Sequence, residues 1–425
     1  MHGVSVGSTA GRYRLLLVSI AASVVLASCG SSASSGGQKP TGPVTMGVLS
    51  CFTGTLASLG QAMLQGSQVA QKAINTAGGI LGQQVELQHA DTQCDEADSV
   101  PALRKLLASS NLAAIIGPET QEIAAVAPIV QSAKVHDEFQ GGSTLFDHNT
   151  NPWLWRDSPS DSQLSVAMAL YAHKKGYHKA ALLFYSDIAA QTFAAPLKAT
   201  NKKLGDSIVA DITVAPDQTS YRPQVRQIVD AKPDVIFTQT DAATAAVLFQ
   251  NFKEANNLAI PVVGTDITGG DDYLKAVTYP VAHDHLISVY GTSVSGQAAD
   301  EFNKQFAVVF GSSQQPLANA NYAYDTLISA ALAIDKANSI AGADINSNMT
   351  QVTNPPGTAC FTYASCQTMI KAGTKVNYEG ASGDLNYNKY HNVFGPYGAF
   401  QVDASSGQEK QVQLLTAADL AAATP

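Results

Sequence analysis

The residues of this 425-residue chain best equipped for covalent or metal chemistry are five cysteines and nine histidines. Cys51, Cys94, Cys360 and Cys366 include no Cys-x-x-Cys pair, which argues against a structural zinc site and for disulfide pairing. His283-Asp284-His285 supplies two metal ligands without an identifiable third, so no metal site is expected, and the remaining histidines read as surface or loop residues. Nothing matches a nucleophile elbow, a Walker loop or a zincin helix. No catalytic residue and no cofactor are therefore expected, and a hydrolase working through acidic cleft residues is only an alternative.

The fifth cysteine has a different context. Arg12 and Arg14 precede an apolar run at 15–26, too short for the roughly 20 residues that span a bilayer. The run ends in Leu26-Ala27-Ser28-Cys29, which has the form of a bacterial lipobox, where the Cys is lipidated and becomes the new N-terminus. Residues 1–28 read as a signal peptide and 29–43, rich in Gly and Ser, as a flexible tether. The expectation is an exported protein, lipid-anchored to the outer face of the membrane. Export into an oxidising compartment favours the pairs Cys51–Cys94 and Cys360–Cys366. The first pair would meet if the strands before each Cys are parallel neighbours; the second closes a local turn-rich loop.

A net charge of −9, with no basic run longer than a pair such as Lys174-Lys175, excludes broad phosphate-backbone binding, so nucleic acid is not an expected partner. Hydrophobic residues make up 45% of the chain and charged residues 14%, which suits a globular protein and excludes disorder as the main state.

Short β-rich runs alternate with longer amphipathic helical runs from residue 44 onward. Strands are expected at 44–49, 85–90, 113–116, 180–184, 208–214, 234–238, 261–264 and 286–290, with helices between them. Gly78-Gly79-Ile80-Leu81-Gly82 stops the first helix. This rhythm implies parallel sheets with crossover helices on both faces, and ligand at the carboxyl ends of the strands. Residues 341–379 read as loop-rich, and 383–402 as a β-hairpin pair.

Several of these segments resemble the type I periplasmic binding proteins, in particular the branched-chain amino-acid (Leu/Ile/Val) group of ABC-transporter receptors. The resemblance rests on Met46-Gly47-Val48-Leu49 with Thr53-Gly54 and Leu59-Gly60, on Ile74-Asn75 followed by Gly78-Gly79-Ile80 and Gly82, on Ile115-Ile116-Gly117-Pro118, on Ser143-Thr144, and on Gly380-Ala381-Ser382-Gly383-Asp384-Leu385. It covers about 44–402. It implies an α/β protein of two Rossmann-like parallel-sheet lobes, joined by three crossings around a ligand cleft. Lobe 1 would be 44–157 and 291–380, and lobe 2 158–290 and 381–425. The implied function is capture of a small metabolite, an amino acid of branched-chain type or a relative, by a monomeric receptor that delivers it to ABC permease subunits. A ligand-sensing lipoprotein that signals to a membrane partner is the alternative.

The same resemblance places ligand contacts at Leu59, Gln121, Ser143 and Thr144 in lobe 1, and at Asp161, Asp187, Asp241 and Asp266 in lobe 2. Hydroxyl and backbone N–H groups near a helix N-terminus would hold a ligand carboxylate, and Asp266 its ammonium. Departures from the family pattern are Gln121 for a common Ser, Leu59 for a common Tyr, and Ala189 and Asp241 at positions often aromatic. Asp161 and Asp241 would serve equally well as helix N-caps, and Asp266 as part of a turn with Gly269-Gly270. Trp153 and Trp155 are expected to pack at the first crossing.

Overall fold

The computed structural model describes residues 1–3, 37–54, 56–292 and 296–425. Residues 4–36, which hold most of the expected signal, the expected lipidation site Cys29 and the first part of the expected tether, lie outside the described residues. From residue 37 the chain is docked: the carbonyl of Gln38 accepts the Ile340 N–H at 2.8 Å, and Lys39 Nζ donates to the Asn338 carbonyl at 2.8 Å. No described helix is long and apolar enough to cross a membrane.

β1 (Val44–Ser50), β2 (Val85–Asp91), β3 (Leu112–Ile116), β4 (His136–Phe139) and β5 (Leu154–Arg156) form a fully parallel sheet in the order β2-β1-β3-β4-β5. The chain then enters a second sheet through β6 (Lys179–Tyr185), β7 (Ser207–Val214), β8 (Val235–Gln239), β9 (Val262–Gly264) and β10 (Leu286–Gly291), all parallel. It returns to the first lobe for helices Gln297–Phe310 and Ala320–Ala337 and for a small sheet of β11 (Thr358–Cys360), β12 (Val376–Gly380) and β13 (Gly383–Asp384). Finally β14 (Tyr397–Val402) and β15 (Glu409–Leu415) add antiparallel to the edge of the second sheet, beside β10.

Each large sheet is covered on both faces, as parallel sheets require. In β6, Leu182 and Phe184 pack into one apolar cluster and Ala181 and Leu183 into another, the alternation that a pleated strand imposes. In the first sheet, Met46 and Val48 face helix Ala320–Ala337, while Leu49 and Ile115 join the cluster on the opposite face. Asn75 brackets the start of β2, its side chain bonding both the Val85 N–H at 2.7 Å and the Val85 carbonyl at 3.0 Å. β1 and β2 pair in register from Val44↔Val85 to Ser50↔Asp91, so Cys51 and Cys94 leave the sheet at one edge and are joined. Cys360, at the end of β11, is joined to Cys366.

Three stretches differ from the sequence expectation. β4 and β5 were not anticipated, because β4 reads His-Asp-Glu-Phe and buries all three polar residues completely. Residues 341–379 hold two helices, Gly342–Thr353 and Tyr363–Lys371. The hairpin is β14–β15, starting later than residue 383; β13 pairs instead with β12.

Candidate functional site

A cavity of about 110 Å³ lies where the carboxyl ends of both sheets converge. Its first-lobe wall comes from Leu59 and Ala62, from Glu119, Thr120 and Gln121 after β3, from Gln140 and Gly142 after β4, and from Asn319 and Tyr322. The second-lobe wall comes from Asp161, Leu164, Ala189, Phe193, Gln239, Asp266, Ile267 and Tyr290, and Ser158 and Pro159 sit at the first crossing. This space is on the scale of one small molecule, somewhat below the roughly 150 Å³ of an apolar cavity that accepts benzene.

Backbone geometry aims the β3 loop into the cleft. Gly117 has φ +103°, and a Cβ there would meet the Leu49 carbonyl oxygen at 2.0 Å, so only glycine lets β3 turn this close to β1. Glu119 follows two residues later, nearly buried, with one hydrogen bond from Ser50 Oγ at 2.9 Å. Burial, reinforced by neighbouring Glu122, pushes its carboxyl up to about 8. Glu122, behind it, accepts from Thr92 Oγ1 and is pushed up to about 7 by burial. Across the cleft, Asp161 accepts from Thr192 Oγ1 at 2.6 Å. Burial raises it to about 7 against the opposing pull of that hydrogen bond and of Arg156. Asp266 accepts from Asn319 Nδ2 at 3.1 Å, a bond between the lobes, and burial raises it as well.

Among the described residues no Lys, Arg or His lines the cavity. Three carboxyls thus face a small space without a counter-cation. Two further polar atoms in the wall, the amide nitrogen of Gln140 and the hydroxyl of Tyr322, are buried without a hydrogen-bond partner. The rest of the lining is largely apolar, through Leu59, Leu164, Phe193 and Ile267. Such a surface can pair an ammonium with its carboxyls, donate to a hydrogen-bond acceptor from Gln140 and Tyr322, and pack an aliphatic or aromatic body on its apolar side chains.

Four of the residues implied by resemblance, Leu59, Gln121, Asp161 and Asp266, come together in this wall, and the other four do not. Ser143 is buried and starts a single helical turn, Thr144–Phe146; its hydroxyl accepts from the Leu145 N–H and its carbonyl from Arg156 Nη1. Thr144 faces a separate recess of about 720 Å³ beside Arg156 and Tyr390. Asp187 caps helix Ile188–Gln191, accepting the Ala190 N–H at 2.6 Å. Asp241 caps helix Ala242–Glu254, accepting the Thr244 N–H at 2.7 Å and the Tyr185 hydroxyl at 2.8 Å. Asp161 is not the cap of its helix; Ser160 is, with its hydroxyl accepting the Gln163 N–H. Sequence reasoning missed Glu119, Gln140 and Tyr322. Glu119 had a usable signal, since it directly follows Gly117-Pro118 at the end of β3.

Trp155 is buried at the first crossing, stacked on His391 at 3.9 Å and donating from Nε1 to Asn346 at 3.0 Å. His283 bonds the Val402 carbonyl through Nδ1 and belongs to no cluster of three metal-capable side chains among the described residues.

The family model described as periplasmic binding protein matches residues 43–408. A Leu/Ile/Val-binding protein homologue of Brucella abortus is 25% identical over 334 residues, covering 73% of this chain and 80% of that protein. Among solved structures, the branched-chain amino-acid binding protein LivJ of Streptococcus pneumoniae, in complex with isoleucine, superposes with a TM-score of 0.73 at 20% identity, over 88% of this chain and 99% of that one. A solute-binding protein of an ABC transporter from R. palustris, in complex with benzoate, superposes with a TM-score of 0.69 at 17% identity, over 88% and 97%. The chain belongs to the periplasmic binding protein family, with the two-lobed type I fold of its branched-chain amino-acid group.

Proposed function

We propose that this protein is the extracytoplasmic receptor of an ABC importer, held to the membrane through lipid on Cys29 and delivering one small ammonium-bearing metabolite to the permease. An amino acid of branched-chain type or a close relative suits the site best. The observation that carries this reading is the set of three cleft carboxyls, Glu119, Asp161 and Asp266, with no cation lining the same space. A desolvated ammonium pairs with these carboxyls in their ionised form, displacing the protons that burial favours. The unpartnered Gln140 amide and Tyr322 hydroxyl supply donors for the ligand's own carboxylate. The benzoate bound by the R. palustris neighbour lacks an ammonium, so this reading expects a different ligand class here.

In this reading lobe 1 comprises 44–157 and 291–396, and lobe 2 158–290 and 397–425. The third crossing falls just before β14, later than residue 381, because β13 pairs with β12 and the Tyr387 hydroxyl reaches Glu138 at 3.0 Å. Closure of the lobes over ligand is a hinge motion at these crossings. A thermal-shift screen of amino acids, amines and carboxylic acids tests the assignment, since a ligand that binds only the native state raises the melting temperature. Hits confined to ammonium compounds, and lost in Asp266→Asn, are the expected result. A shift with benzoate alone would overturn it.

A further inference from the structure

His173, His178 and Asp206 lie at the amino-terminal edge of the second sheet, the end remote from the cleft. His173 is in the last turn of helix Asp161–Lys174, His178 immediately precedes β6, and Asp206 immediately precedes β7 after the glycine that ends helix Ala194–Leu204. The sequence alone leaves both histidines as unremarkable surface residues, because 28 positions separate His178 from Asp206. The fold brings them together: the Ser207 N–H donates to the His178 carbonyl at 2.9 Å and the Asp206 N–H to the Asn201 carbonyl at 2.8 Å.

The Asp206 carboxylate is 2% exposed and receives one imidazole on each oxygen, His173 Nδ1 at 2.8 Å and His178 Nδ1 at 2.6 Å. Among the described residues no Lys or Arg pairs with it. One ligand atom from each of the three residues lies within 4.8 Å of the others. Both histidines remain open to solvent, their side chains 36% and 58% exposed, so an ion has a path in and a free coordination position.

We propose that His173, His178 and Asp206 form a binding site for a divalent transition-metal ion of the zinc class. Two imidazole nitrogens and one carboxylate oxygen are the donor set that zinc takes at about 2.0–2.2 Å, with a fourth position left for water. Calcium and magnesium, which require oxygen ligands, are excluded by the same set. A bound ion crosslinks the end of one helix to the starts of β6 and β7. It therefore stabilises the second lobe without touching the cleft.

The test is titration of the chelator-treated protein with zinc by calorimetry, and with cobalt by visible absorption. One equivalent of zinc, a rise in melting temperature and a tetrahedral cobalt spectrum are expected. The double variant His173→Ala/His178→Ala, altered only at partly exposed positions, should lose all three signals, and His283→Ala should keep them. Absence of stoichiometric zinc uptake by the unaltered protein, or uptake that survives the double variant, would overturn the proposal.

Discussion

Asp325 and Asp266 are both acids withdrawn from water in the same molecule, yet their surroundings serve different ends. Asp325, fully buried in helix Ala320–Ala337, accepts from the Tyr378 hydroxyl at 2.6 Å, the backbone N–H groups of Ala381 and Ser382, and the Ser382 hydroxyl at 2.6 Å. Burial raises its carboxyl, but these four bonds hold it near 6. It ties the β12–β13 turn to the core of the first lobe and has no capacity left for a ligand. In the cleft, Glu119 has a single hydrogen-bond partner, Ser50, while Asp266 accepts from Asn319 across the lobes and from its chain neighbours Thr265 and Ile267. The contrast teaches that a satisfied buried acid is architecture, whereas an under-satisfied acid on an open wall is a place for a missing partner. Asp157 and Asp137, buried with no side-chain hydrogen-bond partner and pushed well up by burial, form a third class: carboxyls whose surroundings favour the neutral form.

Mutation should separate these classes. The largest effect is expected for Asp325→Ala, which strands four donors: a loss of about 3–5 kcal/mol in folding stability by urea denaturation, consistent with breaking a buried network. Next is Asp266→Asn, which should weaken the binding of an ammonium ligand by about 2 kcal/mol or more while leaving ligand-free stability unchanged or raised. If the two variants behaved alike, the contrast would collapse.

A smaller effect is pH dependence. Glu119 at about 8, and Glu122 and Asp161 at about 7, sit above their unfolded values. The native state therefore holds protons that the unfolded chain has released. Their stabilising contribution is full below about pH 4 and is lost as the pH rises through about 8, so the ligand-free melting temperature should fall across about pH 4–8. An ammonium ligand requires ionised carboxyls, so its affinity should rise over the same window, by up to about tenfold per pH unit for each proton released. Calorimetry in buffers of different ionisation enthalpy would count those protons. The smallest effect is expected for Asp241→Ala, which removes a helix cap worth about 1 kcal/mol and should leave ligand affinity unchanged.

Most of the parallel strands were legible in the sequence, because strands such as Leu182–Phe184 and Ile236–Phe237 are apolar runs between amphipathic helices, whereas their order within each sheet was not. β4 was hidden because it carries His136, Asp137 and Glu138 into the interior, where Glu138 meets His136, Ser329 and Tyr387, and hydropathy has no signal for a strand of that kind. The site was half legible. An Asp after a strand end can cap the next helix or face the cleft, and both occupy the same sequence position. Asp187 and Asp241 turn to their helices, whereas Asp161 is freed because Ser160 takes the cap. Tyr322 was out of reach for a different reason: it enters the cleft from a helix that local pattern marks only as buried.

The central claim is that the cleft requires an ammonium. Its most direct test is a calorimetric titration of the protein with leucine and isoleucine and, in parallel, with their deaminated carboxylic acids and with benzoate. Saturable binding of an amino acid with proton release, and none of the deaminated acids or benzoate, is the predicted result. Equal or tighter binding of a compound lacking the ammonium would contradict it.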